Sequence, residues 1–181
     1  MYFILIKNNN YKNEIFEMLK SFISQIEIKE ENDFILIRHN YDNKLDIIRS
    51  VETLSSDLMY AICAYVSSYK DDEEKEKEII KPLMDNVISD IYDFKKLIIS
   101  NENKINDKSK ILNFILKGTG IDSGFIRDFC DSNLNVSKAS KALYLHRNTT
   151  IYKINRLIEI KGFDLRIFKD AYILYSLLDI K

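Results

Sequence analysis

NVSKASKALYLHRNTTIYKI, residues 135–154, is the stretch on which the fold turns. Asn135 has the side chain of a helix N-cap, an oxygen able to accept from an early backbone amide. After it, Val136, Ala139, Ser140 and Leu143 share the inner face of a two-turn helix. Ala139 and Ser140 are small, as a close helix crossing requires. Tyr144-Leu145-His146 breaks the helical phase, with Leu145 as the buried plug of a turn and His146 at the next N-cap. A second helix then carries Thr150, Ile154, Leu157 and either Ile158 or Ile160 inward. Its outer face at the start carries Arg147, Asn148, Thr149, Tyr152 and Lys153.

Two helices joined by a turn of three or four residues hold the second at a steep angle. Its first turns can then enter a DNA major groove, which is wide enough for one helix. The expected base-facing set is therefore Arg147, Asn148, Thr149, Tyr152 and Lys153. Arg147 suits a bidentate contact to guanine, and Asn148 one to adenine. Ser137, Lys138, Lys141 and Arg156 form the expected phosphate-facing set, which sets register rather than sequence. Charge agrees. Residues 126–181 hold ten basic and six acidic residues, a balance of +4, whereas residues 1–125 hold seventeen and twenty-two, a balance of −5. A basic C-terminal part on an acidic body suits a polyanion partner.

Working outward, Leu143-Tyr144-Leu145-His146-Arg147-Asn148-Thr149, then Tyr152-Lys153-Ile154-Asn155-Arg156-Leu157, then Lys161-Gly162-Phe163-Asp164-Leu165 resembles the C-terminal helix-turn-helix of the PucR/CdaR family of bacterial regulators. The resemblance covers about residues 123–181. It implies a Fis-related helix-turn-helix that binds DNA, closed by a final helix over Phe168 to Leu178. Three positions depart from the family pattern. Ile151 stands where an arginine is usual, which removes one implied contact. Thr150 replaces an aliphatic residue, and Ser140 an alanine.

The first 70 residues read as α+β. Tyr2 to Ile6 and Phe34 to Ile37 are apolar runs of buried-strand length. Ile26 to Ile28 alternates, with a polar turn at Glu30-Glu31-Asn32-Asp33. Helical spacing spans Asn10 to Gln25 and Leu45 to Leu58, and Tyr60 to Val66 is a last strand. The order β-α-β-β-α-β is a ferredoxin-like arrangement with an antiparallel sheet. Members of the resembled family often carry a degenerate relative of the GGDEF domain in this place, with the same core order. The hairpin turn here has no glycine and reads as solvated.

Residues 71–118 are expected to be connecting helices. DDEEKEKE, residues 71–78, reads as a solvated connector or a helix start. Ile80, Met84, Val87, Ile91, Phe94 and Ile98 recur at heptad spacing, which predicts a helix over 80–98, begun close to Pro82. That helix either packs on its own domain or pairs two copies. Lys110 to Leu116 is a short helix closed by Gly118-Thr119-Gly120. A helix-turn-helix domain at 119–181 follows.

Composition excludes other classes. With 46% hydrophobic and 30% charged residues, the chain is globular rather than disordered. Cys63 and Cys130 are too few for a disulfide framework and read as buried free thiols. Met1 to Ile6 is too short for a signal peptide or membrane span, so a cytoplasmic protein with no membrane partner is expected. His39, read as a surface residue, and His146 have no metal-type spacing partner, and no phosphate loop or nucleophile elbow occurs. The chain is thus expected to be no enzyme, with no cofactor and no metal, but a regulator that binds double-stranded DNA. It is expected to act as a homodimer through the 80–98 helix, the N-terminal domain or both. The alternative is a protein-interaction module with a helix-turn-helix shape.

Overall fold

Residues 2–6 and 34–37 are apolar without alternation because the sheet they enter is covered on both faces. The structure is a computed structural model that describes residues 1–7, 11–23, 25–59, 61–69 and 72–178. The starts expected at Asn10, Tyr60 and Asp71, and the chain's last three residues, lie outside the described residues. Two compact units divide the chain, Met1–Asn101 and Glu102–Lys181. Helices of the 71–118 stretch fall in both.

The first unit is built on β1 (Tyr2–Lys7), α1 (Lys12–Phe22), β2 (Ile26–Glu31), β3 (Phe34–His39), α2 (Lys44–Asp57) and β4 (Ala64–Val66). These four strands are antiparallel in the order β2-β3-β1-β4, the expected ferredoxin-like arrangement. Registers Ile4↔Ile37 and Ile4↔Val66 align the apolar positions across the sheet. Side chains alternate along a strand. Ile4, Ile6, Ile35 and Ile37 therefore share one face, packed with Ile15 and Leu19 of α1 and Ile47 and Val51 of α2. Phe3, Leu5 and Leu36 point the other way and are also buried.

That second face is where the sequence misled. The run at 73–78 starts α3 (Glu73–Met84), the second of its two expected readings, but its side chains are not simply solvated. Glu76 is fully buried and accepts a hydrogen bond from the Tyr65 hydroxyl, itself buried beside Phe3. Arg38 grips Glu73 through Nε and Nη2, at 2.9 Å each. Lys77 is buried and pairs with Glu31, Glu73 and Glu74 at 3.2, 3.2 and 2.8 Å. Glu31, in the hairpin expected to be solvated, also meets Lys81 at 2.9 Å. Burial raises the Glu31 pKa, but the hydrogen bonds from Lys81 and Lys77 outweigh it and hold the carboxyl down at about 2.

The predicted helix over 80–98 is absent as one element. Pro82 stands in the last turn of α3 rather than near a helix start, and it removes a backbone donor there. The helix ends at Met84. Ile91–Tyr92 forms β5, parallel to β4 and fifth in the sheet. Asp93 then caps α4 (Phe94–Ser100), its Oδ1 accepting from Lys96 N at 2.8 Å. The heptad spacing arises because three separate elements each bury their own apolar residues. Ile80, Met84, Ile91, Phe94 and Ile98 are all buried within the chain rather than displayed as one helical seam.

His39 was expected at the surface and is instead 2% exposed. β3 is an inner strand, so its last residue is flanked by Tyr2 of β1 and Ile26 of β2. The ring stacks on Tyr2 at 5.9 Å. Burial is the largest influence and pushes its pKa down from 6.5 to about 4. The unfolded chain therefore takes up a proton first as pH falls. This contribution to stability is intact above pH 6.5 and is lost between about 6.5 and 4, by up to about 3 kcal/mol. Chemical denaturation at pH 7.5 and pH 4 should show a smaller loss for His39→Phe than for the natural chain. Parallel losses in both would show that His39 is not the source.

Candidate nucleic-acid interface

The second unit comprises a short 3₁₀ turn (Glu102–Lys104), α5 (Lys108–Leu116), α6 (Ser123–Asp131), α7 (Val136–Ala142), α8 (Arg147–Lys161) and α9 (Phe168–Ser176). A side-chain cap starts α5, α6, α7 and α8. Asp107, Asp122 and Asn135 accept from Lys110, Phe125 and Lys138 amides at 2.9, 2.8 and 3.0 Å. His146 is extended and its Nδ1 accepts from Asn148 N at 3.2 Å, capping α8 as its place in the sequence implied. Gly162, at φ 69°, stops α8 in the left-handed conformation that glycine tolerates best.

Thr150, Ile154, Leu157 and Lys161, at spacings of 4, 3 and 4, form the buried stripe of α8. Phe129, Phe163, Leu165, Ile173 and Leu174 of the same unit are buried as well. Ile158 is half-buried and Ile160 exposed, which resolves the choice between them. Leu145 is only half-buried, less of a plug than expected. Lys161 is buried with its Nζ 4.0 Å from the centre of the Phe114 ring, so α5 belongs to this core. The two polar departures explain one another. Ser140 Oγ donates to Val136 O at 2.6 Å and lies 3.0 Å from Thr150 Oγ1, a buried hydroxyl pair tying α7 to α8.

That pair makes a prediction. Ser140→Ala or Thr150→Val alone leaves one buried hydroxyl with fewer partners, at about 1–3 kcal/mol, whereas the double change is nearly neutral. Urea unfolding of the four proteins measures the coupling, and additive losses would contradict it.

Arg147, Asn148, Thr149 and Tyr152 are exposed at the start of α8, and Ser137, Lys138 and Lys141 are exposed on α7. The structure brings these seven into one helix-turn-helix unit. Lys153 and Arg156 are engaged differently. Lys153 Nζ donates to Gly120 O, and Arg156 Nε donates to Gly118 O at 2.9 Å. Arg156 also reaches the Tyr152 hydroxyl at 3.3 Å. Gly118, Thr119 and Gly120 thus line, with Thr149, Tyr152, Lys153 and Arg156, an open cleft of about 350 Å³. On sequence alone this loop is only the stop of a short helix.

The turn between α7 and α8 holds the other feature missed. Leu145 N donates to Ser140 O at 2.9 Å and Tyr144 N to Lys141 O at 3.2 Å, a Schellman closure. Its left-handed position usually belongs to glycine, yet Tyr144 occupies it at φ 53°. A residue with a Cβ there costs about 1–2 kcal/mol. Burial offsets none of it, because the side chain is 96% exposed.

Residues 125–180 match the model of the PucR C-terminal helix-turn-helix domain. The likeness is to the PucR-type helix-turn-helix, and it is confined to this segment. The PucR-type domain begins within α6, and α5 packs on it from upstream. A protein of Bacillus subtilis (strain 168) named uncharacterized protein YxkF is 40% identical over 50 residues, 28% of this chain and 17% of that protein. The carbohydrate diacid regulator of Escherichia coli (strain K12) is 44% identical over 48 residues, 26% of this chain and 12% of the regulator. The match thus spans less than a fifth of either relative. The crystal structure of a regulator of polyketide synthase expression from Bifidobacterium adolescentis aligns over 98% of this chain and 77% of that one, at 14% identity and a TM-score of 0.41.

Proposed function

We propose that the chain is a sequence-specific DNA-binding transcriptional regulator that acts as a homodimer. One observation carries the reading. Arg147, Asn148 and Thr149 stand exposed on the first turn of a helix whose opposite face is locked into a core, with His146 capping its start. Three polar groups displayed there do nothing for packing, and they suit base edges in a major groove. The likeness of this segment to the PucR-type helix-turn-helix, and a relative named as a regulator, support the same reading.

Arg147 and Asn148 read bases, with Thr149 and Tyr152 beside them. Ser137, Lys138 and Lys141 hold phosphates. Lys153 and Arg156 reach DNA only by exchanging the Gly120 and Gly118 carbonyls for other acceptors. Two copies are needed because one recognition helix covers few base pairs, and a pair about 34 Å apart reads a pseudo-palindrome. The first unit then supplies pairing or signal input, and the protein works in the cytoplasm.

Selection of bound sequences from a random DNA pool, followed by titration at two salt concentrations, tests this. Enriched paired half-sites and an affinity that falls with salt are expected. No enrichment, or no salt dependence, would sink the proposal. A second reading, a protein-interaction module, rests on Ile167, Phe168 and Tyr172, all exposed at the start of α9. It predicts capture of protein and no DNA enrichment.

A further inference from the structure

We infer that Tyr144 is a DNA-backbone contact, its hydroxyl donating to a phosphate beside the recognition helix. The inference rests on the DNA-binding reading above and extends it to the turn. Tyr144 holds a conformation that disfavours every residue with a Cβ, most of all a bulky one. Its side chain is almost wholly exposed, so the fold gains nothing from its size. Among the other left-handed residues, Asn32, Asp72 and Asn133 are of types that tolerate the conformation, and Leu134 is half-buried. Met59 shares the exposure but ends α2 in the first unit.

Place singles out Tyr144. It lies three residues ahead of Arg147 and three after Lys141, both exposed cations of the proposed interface. Three peptide units span at most about 11 Å, so its Cα stays close to the end of α8 that enters the groove. A phenol there meets the sugar-phosphate wall rather than base edges. It has the two properties that position calls for: a hydroxyl to donate to an anionic oxygen, and a ring to cover the adjoining sugar. A glycine would stabilise the turn and lose both.

Two variants test the contact in the full chain, against the selected DNA site and an unrelated duplex. Tyr144→Phe keeps the ring and the backbone strain and removes only the hydroxyl. It should weaken both duplexes about 3- to 10-fold, at an unchanged Tm. Tyr144→Gly should raise the Tm of the second unit by about 4–8 °C or more and weaken DNA binding further. Because the group is neutral, the salt slope should stay that of the natural chain, whereas Lys141→Ala should lower it by about one. Natural-chain binding with Tyr144→Phe equally tight on both duplexes overturns the tyrosine contact alone. Loss confined to the selected site overturns its assignment to phosphate. A natural chain with no salt-dependent DNA binding overturns the regulator reading, and the tyrosine contact with it.

Discussion

Arg147→Ala should lower affinity for the preferred DNA site by roughly 5- to 150-fold and relax preference at one base position. The side chain is exposed on the first residue of α8 and contributes nothing to the core. Thermal stability should therefore stay within about 0.5 kcal/mol of the natural chain. A guanidinium offers two parallel donors to the edge of guanine. Alanine offers none, so the wrong base at that position is no longer penalised. Lys141→Ala provides the contrast, because a phosphate contact weakens all sequences alike. Competition binding against a set of single-base variants of the selected site separates the two. If both changes flattened or preserved the base preference equally, the roles assigned to the two helices would be wrong.

Leu157→Ala should act through stability instead. Leu157 is fully buried in the middle of the α8 stripe, next to Ile154 along the helix face. Truncating a leucine at such a site removes apolar burial and leaves a cavity, at about 2–5 kcal/mol. Whole domains are stable by about 5–15 kcal/mol, so the second unit should lose a large share of its margin. For a unit this small the Tm falls on the order of 10–30 °C. DNA binding should fail on warming and recover on cooling, whereas Arg147→Ala should be impaired at every temperature. Calorimetry and binding at two temperatures distinguish them, and a Leu157→Ala protein with natural Tm would show that α8 is not held by this core.

The helix-turn-helix was legible because its signals are local. Asn135 and His146 cap the helices that follow them, and the buried stripe of α8 repeats at helical spacing, so neighbours in the chain carry the information. Buried strands were legible for the same reason, as uninterrupted apolar runs. The 80–98 seam failed because periodicity alone does not reveal whether one element or three supplies the apolar positions. Pro82 and Asp93 were the residues that argued against a single helix. Pro82 removes a backbone donor in the last turn of α3, and Asp93 caps a fresh start at α4.

By itself the sequence determined the α+β and helical parts, the order of elements from β1 to β4 and the polar display at Arg147 to Thr149. Each follows from spacing and capping within a few residues. Only the tertiary structure decided what the polar groups meet. It joined Ser140 to Thr150, sank Glu76 and His39 into the first unit, and put Lys153 and Arg156 on the Gly118–Gly120 loop. These partners lie from ten to several tens of residues apart in the chain. Hydrogen bonds and burial between such residues depend on distances that no sequence spacing encodes. The two cations reveal the difference most clearly. On the sequence they belong to a recognition helix, and in the fold they first hold a loop.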